Sequence, residues 1–255
     1  RFLEGLENKF VNSNKLVVFF QSAKKNNLSI IKHKKKWITF AGKLNNAKGY
    51  DVFAKTIKII LDRFPGWRAK VIGDEKREKI IVKHKNVDLL GFLNHNKVLQ
   101  IFKKTSIAIA CSRWEEPFGR TSLEASANGC AVIITNKGGL PETVTNARIL
   151  SKLSVKELYK EITHLIRKTN LRKKLQRLSI QNFYLTHAFV TNMIDNYRDE
   201  KLQLNKSFYV KKIKKSLRIL HITNFNERLD GRLFFNTGRR INNGFIRQGH
   251  SVLGF

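Results

Sequence analysis

Cysteine is scarce in this sequence. Cys111 and Cys130 are the only two, too few for a disulfide framework or a four-thiolate zinc site, and a reducing, cytoplasmic compartment fits them best. Long apolar runs are missing as well. The longest, Leu16–Phe20, Ile107–Cys111 and Cys130–Ile134, hold five residues each, which excludes a transmembrane helix and a secretory core segment. Acidic residues are few, 19 against 50 Lys and Arg, so the net charge is +31. No short-period repeat is present. The single methionine is Met193, the chain opens on Arg1, and it stops inside an apolar stretch, Ser251–Phe255; the expectation is a piece of a longer protein. What remains is 42% apolar and 10% aromatic over 255 residues, enough for a packed core in one large domain or two small ones.

A balance of +31 invites a nucleic-acid reading, because clustered cations release condensed counterions on binding phosphate. The pattern argues against it. The basic residues run from Lys9 to Arg247 and are mostly Lys, with local clusters at Lys32–Lys36, Arg172–Lys174 and Lys211–Lys215 and no aromatic-interleaved motif among them. No nucleic-acid partner is expected. A solvated basic surface explains most of the charge. Peripheral docking on an anionic membrane, at about 1 kcal/mol per charge near the surface, ranks ahead of nucleic acid and would add contact with the membrane's inner face to a cytoplasmic location.

The periodicity predicts a regular alternation. Residues 1–20 read as a short helix and a buried strand, and 21–36 as a polar, basic linker. Strands at 37–41, 69–72, 87–90, 107–111 and 131–134 alternate with helical stripes at 50–64, 98–102 and 118–128, and Leu140–Thr145 opens a further helix. Residues 155–185 form a long amphipathic helical region that extends toward Glu200, and 201–216 read as a second linker. Strands separated by helices at this spacing give an α/β fold with a Rossmann-like, doubly wound parallel sheet. Ligands of such sheets sit at the strands' carboxyl ends, here the loops at 42–49, 73–76, 91–96, 112–119 and 135–140.

The segment from Trp114 to Gly129 is the richest in chemistry. A buried strand ends at Cys111, the next loop carries Glu115 and Glu116, and a helix begins near Gly119, whose free N–H groups and positive dipole suit a phosphate. Glu116 precedes that helix. Glu124 lies inside it, sharing a face with Thr121 and Asn128, and a carboxylate at each end of a phosphate site can accept from two sets of hydroxyls. Lys43 and Lys48, in the loop Gly42-Lys-Leu-Asn-Asn-Ala-Lys-Gly49, supply two cations at the same edge. Gly138-Gly139-Leu-Pro-Glu142 adds a loop whose glycines permit close backbone approach.

Together, Glu116-x7-Glu124 with Pro117-Phe118-Gly119, the Gly42-Lys43…Lys48-Gly49 loop and Gly138-Gly139-Leu-Pro-Glu142 resemble the retaining GT-B glycosyltransferases of family GT4. The resemblance covers roughly residues 1–200. It implies that 1–20 end an N-terminal acceptor domain, that 37–150 are the nucleotide-sugar domain, and that 151–200 are C-terminal helices. It further implies that Glu116, Lys43 and Lys48 are catalytic. Glu116 would bind donor-sugar hydroxyls near the reacting carbon, and the lysines would clamp the diphosphate. Phe118, Gly119, Arg120, Thr121, Glu124, Gly138 and Gly139 would bind the donor, with Glu124 on the ribose hydroxyls. The implied partners are a nucleotide-diphosphate sugar and a glycan or lipid-linked acceptor in cell-envelope polysaccharide biosynthesis. No metal and no cofactor is implied. The leaving phosphate would deprotonate the acceptor on the same face. This chain departs in carrying Lys43 where Arg is common and Cys111 where Pro often sits, and without the acceptor domain it is expected to be inactive alone. Residues 217–255, with Leu217–Thr223 as a strand, Asn224–Arg232 as a loop and Leu233–Gln248 as a helix, resemble the opening of a second GT-B-like N-terminal domain, an incomplete βα unit.

Duller expectations stand beside these. Glu115 reads as a solvated loop acid, Glu142 as a helix-start charge, Trp67 and Trp114 as packing residues, and His33, His84, His164 and His187 as residues without a partner pattern. Two other readings stay open on sequence: a different GT-B enzyme on nucleotide sugars, such as an epimerase, or a non-enzymatic basic module.

Overall fold

The computed structural model describes residues 17–78, 80–204, 216–222 and 237–254. They fall into two units, the first running to Tyr197 and the second from Arg198. Up to the start of the second unit the elements follow in order: β1 (Lys35–Ala41), α1 (Tyr50–Arg63), β2 (Arg68–Ile72), β3 (Val87–Leu89), α2 (His95–Lys104), β4 (Thr105–Ala110), α3 (Arg120–Ala127), β5 (Ala131–Thr135), a 3-10 turn (Leu140–Thr143), β6 (Arg148–Leu150), α4 (Val155–Arg167), α5 (Thr169–Gln181) and α6 (His187–Leu204), whose residues from Arg198 belong to the second unit. The six strands form one parallel sheet in the order β3-β2-β1-β4-β5-β6, in register Ile38 to Ala69 on one side of β1 and Ile38 to Ile107 on the other. This is the Rossmann-like, doubly wound order expected, with its switch point between β1 and β4.

Continuous apolar strands mean a sheet buried on both faces. Ile107, Ile109 and Cys111 join one core with Ile38, Phe40, Phe53, Ile57 and Ile60, closed by Leu158, Ile162 and Leu165 of α4. Ala108 faces the other way, into Phe102, Ala125, Val132 and Ile134. Local chemistry sets the helix starts. Ser154 Oγ accepts from the Glu157 N–H (3.2 Å) and starts α4, and Asn94 Oδ1 accepts from the Lys97 N–H (3.0 Å) and starts α2. Lys34 Nζ donates to Asn128 O (2.6 Å) and Phe102 O (2.9 Å), clamping the last turn of α2 to the end of α3; burial holds this ammonium's pKa below its ordinary value. The stretch expected as a linker, 21–36, belongs to this unit: Ala23 is buried, a 3-10 turn forms at Leu28–His33, and Lys35 and Lys36 open β1.

Three sequence expectations need correction. The strand at Leu16–Phe20 does not form over its described residues: 17–20 pair with no strand, and Val17, Val18 and Phe19 are exposed. Phe19 packs edge-on against Tyr197 (5.3 Å) and Phe20 tilts over Phe118 (6.2 Å), so aromatic contacts take up these side chains from coil backbone. The helix expected at Leu140–Thr145 is only the 3-10 turn, because Thr143 Oγ1 donates back to Leu140 O (2.8 Å) and Val144 is already extended. Trp114 is half exposed rather than packed, whereas Trp67 is buried under the Arg172 guanidinium (5.1 Å). The helix expected within residues 1–20 lies, up to residue 16, outside the described residues.

In the second unit β7 (Arg218–His221) and β8 (Ser251–Gly254) pair in parallel and α7 (Thr237–Arg247) connects them, a βαβ unit. The loop expected at Asn224–Arg232 lies outside the described residues. Among the described residues no helix is long and apolar enough to cross a membrane.

Candidate active site

A cavity of about 200 Å³ opens at the switch point. Its lining includes Ala41 and Gly42 from the end of β1, Cys111 and Ser112 from the end of β4, Lys48, Glu116, and Gly119, Arg120 and Thr121 at the start of α3. Gly119 takes φ 99° as the residue before α3, its side chain-free position gives the helix no side-chain cap, and Gly119, Arg120 and Thr121 of this helix start line the cavity.

Main-chain contacts hold three loops together around this point. Gly49 takes φ 71°, and a Cβ there would stand 2.0 Å from Cys111 O; only glycine lets the 43–49 loop lie against the end of β4. Asn45 Oδ1 accepts from the Lys48 N–H (3.0 Å), and Ala47 O accepts from the Arg113 N–H (2.9 Å). Gly138 and Gly139 abut the backbone of Glu115–Phe118. A Cβ on Gly138 would stand 2.2 Å from Glu116 O, and the Gly139 N–H donates to that same oxygen (2.7 Å). Glu115 is exposed, as expected of a loop acid, and in addition accepts from the Gly138 N–H (2.6 Å) and pairs with Lys137 (2.8 Å), which holds its carboxyl below the usual range.

Glu116 and Glu124 are built alike. On Glu116, Oε1 accepts from Lys48 Nζ and from Ser112 Oγ (2.5 Å). On Glu124, Oε1 accepts from Arg120 Nε (2.7 Å) and His95 Nε2 (2.8 Å). Among the described residues no hydrogen bond takes Oε2 of either acid, so the largely buried carboxylates of Glu116 and Glu124 each keep one acceptor oxygen unused. Burial pushes the Cys111 thiol up to about 12, so the sulfur lining this cavity is uncharged and does not repel an anion.

The positions singled out from sequence thus divide. Lys48, Glu116, Gly119, Arg120 and Thr121 line the cavity, and Arg120 reaches Glu124. Lys43 is exposed and, among the described residues, makes no hydrogen bond or ion pair. The Phe118 ring turns toward Phe20, and Gly138 and Gly139 act through the backbone. Sequence reasoning missed Ser112 and His95. A lone hydroxyl ending a buried strand could have flagged Ser112. His95, one histidine after an N-capping Asn94, carried no signal because its partner is 29 positions away.

This arrangement can hold a diphosphate against Lys48 and the start of α3 with Glu116 beside it; Glu124 is not among the lining residues and meets the cavity through Arg120. Known proteins resemble the chain as a whole. The spore coat protein SA of Bacillus subtilis (strain 168) is 25% identical over 164 residues, 58% of this chain and 44% of that protein. The lipopolysaccharide core biosynthesis mannosyltransferase LpsB of Rhizobium meliloti (strain 1021) is 29% identical over 121 residues, 44% of this chain and 34% of that protein. The chain therefore spans less than half the length of these curated relatives. Among solved structures, HepE of Anabaena in complex with UDP and glucose has the same fold, with a TM-score of 0.62 at 19% identity over 77% of this chain and 60% of that one. A family model described as glycosyl transferases group 1 matches residues 21–181, more than half of the sequence, and the chain belongs to that family.

Proposed function

We propose that this domain is the donor-binding half of a retaining transferase that moves a hexose from a nucleotide-diphosphate sugar to a glycan or lipid-linked acceptor. The carrying observation is the Lys48–Glu116–Ser112 cluster at the switch point, facing the α3 N-terminus. Phosphate oxygens would sit on the first-turn N–H groups of α3, and Lys48 would neutralise charge as the sugar carbon–oxygen bond to phosphate breaks. Glu116 Oε2 would accept a sugar hydroxyl and Glu124 Oε2 a ribose hydroxyl. The acceptor oxygen would bond to the sugar carbon on the face the phosphate leaves, passing its proton to a phosphate oxygen. The scheme uses no metal and no cofactor, and Lys43, exposed next to the lining residue Gly42, would swing onto the diphosphate once it is bound.

HepE was solved with UDP and glucose, so uridine donors are the first to try. A thermal-shift screen of the 255-residue chain against UDP-, GDP- and ADP-hexoses tests the reading. At a hundredfold excess over Kd a true donor contributes about 2.7 kcal/mol, a Tm rise of about 5–10 °C for a unit of this size. Lys48→Met and Glu124→Ala should each abolish the rise, and no rise with any of the three series refutes the reading.

A further inference from the structure

Glu124 is nearly buried, yet the side chain that holds it from outside its own helix is a half-exposed histidine. His95 is the first residue of α2, fixed there by the Asn94 cap, and α2 is tied to α3 at its far end by Lys34. A carboxylate only accepts, so Nε2 carries the hydrogen and donates it to Oε1 (2.8 Å). Arg120 donates to the same oxygen from one turn earlier in α3 (2.7 Å). Two donors from different helices fix the carboxylate's plane as well as its position. Either one alone leaves the group free to turn about its last bond.

We propose that His95 is a positioning residue for nucleotide binding: by donating through Nε2 to Oε1 of Glu124 it turns Oε2 toward the ribose hydroxyls of the donor. The inference rests on the nucleotide-sugar reading and adds to it a residue from α2 that touches neither sugar nor phosphate. Its contribution depends on the hydroxyls being present. A ligand lacking them gains nothing from a well-aimed acceptor, so His95 should matter for a ribonucleotide and not for its 2′,3′-dideoxy counterpart.

The test measures Kd by titration calorimetry for UDP, GDP and ADP and for their 2′,3′-dideoxy counterparts, on the full 255-residue chain. The wild type should prefer the ribonucleotide. His95→Ala should weaken ribonucleotide binding by about fivefold to tenfold, the scale of one charge-assisted hydrogen bond at a partly exposed site, and leave the dideoxy ligand unchanged. His95→Gln, whose amide nitrogen reaches as far as Nε2, should restore the preference. His95→Asn, whose amide nitrogen stops at the position of Nδ1, should not. A purely structural role would weaken both ligands together and would not separate Gln from Asn. If Glu124→Ala abolishes the preference and His95→Ala keeps it, the positioning role is overturned while the donor reading stands. If Glu124→Ala keeps the preference, or no nucleotide binds, the donor reading fails and this inference fails with it.

Discussion

Gly49→Ala isolates what the cradle costs to disturb. At φ 71° an alanine pays about 1–2 kcal/mol for the left-handed region alone. Gly91 has nearly the same backbone, φ 61°, but open space where a Cβ would point, so Gly91→Ala pays that conformational cost and nothing else. At Gly49 the new Cβ would stand 2.0 Å from Cys111 O, a main-chain atom that cannot rotate away. A relaxed carbon–oxygen contact is about 3.3 Å, so the loop must retreat by roughly 1 Å. That movement strains the Arg113 and Trp114 N–H bonds to Ala47 O (2.9 and 3.3 Å), each contributing about 0.5–1.5 kcal/mol. Gly49→Ala should therefore be about 2 kcal/mol less stable than Gly91→Ala, a Tm difference of about 4–8 °C. Urea and thermal unfolding of the two variants side by side decide it. Equal stability would mean that the contact between the 43–49 loop and β4 is not what fixes Gly49.

Two further outcomes follow from the electrostatics. The Arg113 fork on Asp51 (2.5 and 2.7 Å) holds this carboxyl below its ordinary range. A depressed folded-state pKa gives stability that is present above the unfolded value and lost as pH falls through the folded one. Asp51→Asn should thus cost about 0.5–1 kcal/mol at pH 7, discounted for solvent screening, and progressively less as the pH is lowered below about 4; a loss in urea denaturation that stays the same as the pH falls would refute the pairing. Cys111, buried and pushed up to about 12, should resist iodoacetamide at pH 8 in the folded chain and react promptly in urea, while fast labelling of the native state would contradict its burial.

Much of this was legible because it is local or strictly periodic. Phe53, Ile57, Ile60 and Leu61 recur at helical spacing and lie in the core under α1. The five-residue runs ending at Cys111 and Ile134 read as strands buried on both faces, and β4 and β5 are that. What stayed hidden depends on partners distant in sequence. Val17–Phe20 has a strand's composition but no strand beside it. β6, three residues long, shows no pattern and pairs only because Ile133–Thr135 lies alongside. At the site, Glu116 and Glu124 could be picked out by their spacing around one helix start. The hands that hold them, Ser112 and His95, are an ordinary hydroxyl and an ordinary imidazole until the chain folds.

The glycine contacts at positions 49, 138 and 139 carry a consequence for how such a site can change over generations. The alignment of the three segments is written into main-chain atoms, which every amino acid shares, so most replacements along the rim leave the geometry intact. A lineage could exchange the residues around the opening, and with them the preferred sugar or base, while three positions without side chains keep the frame square.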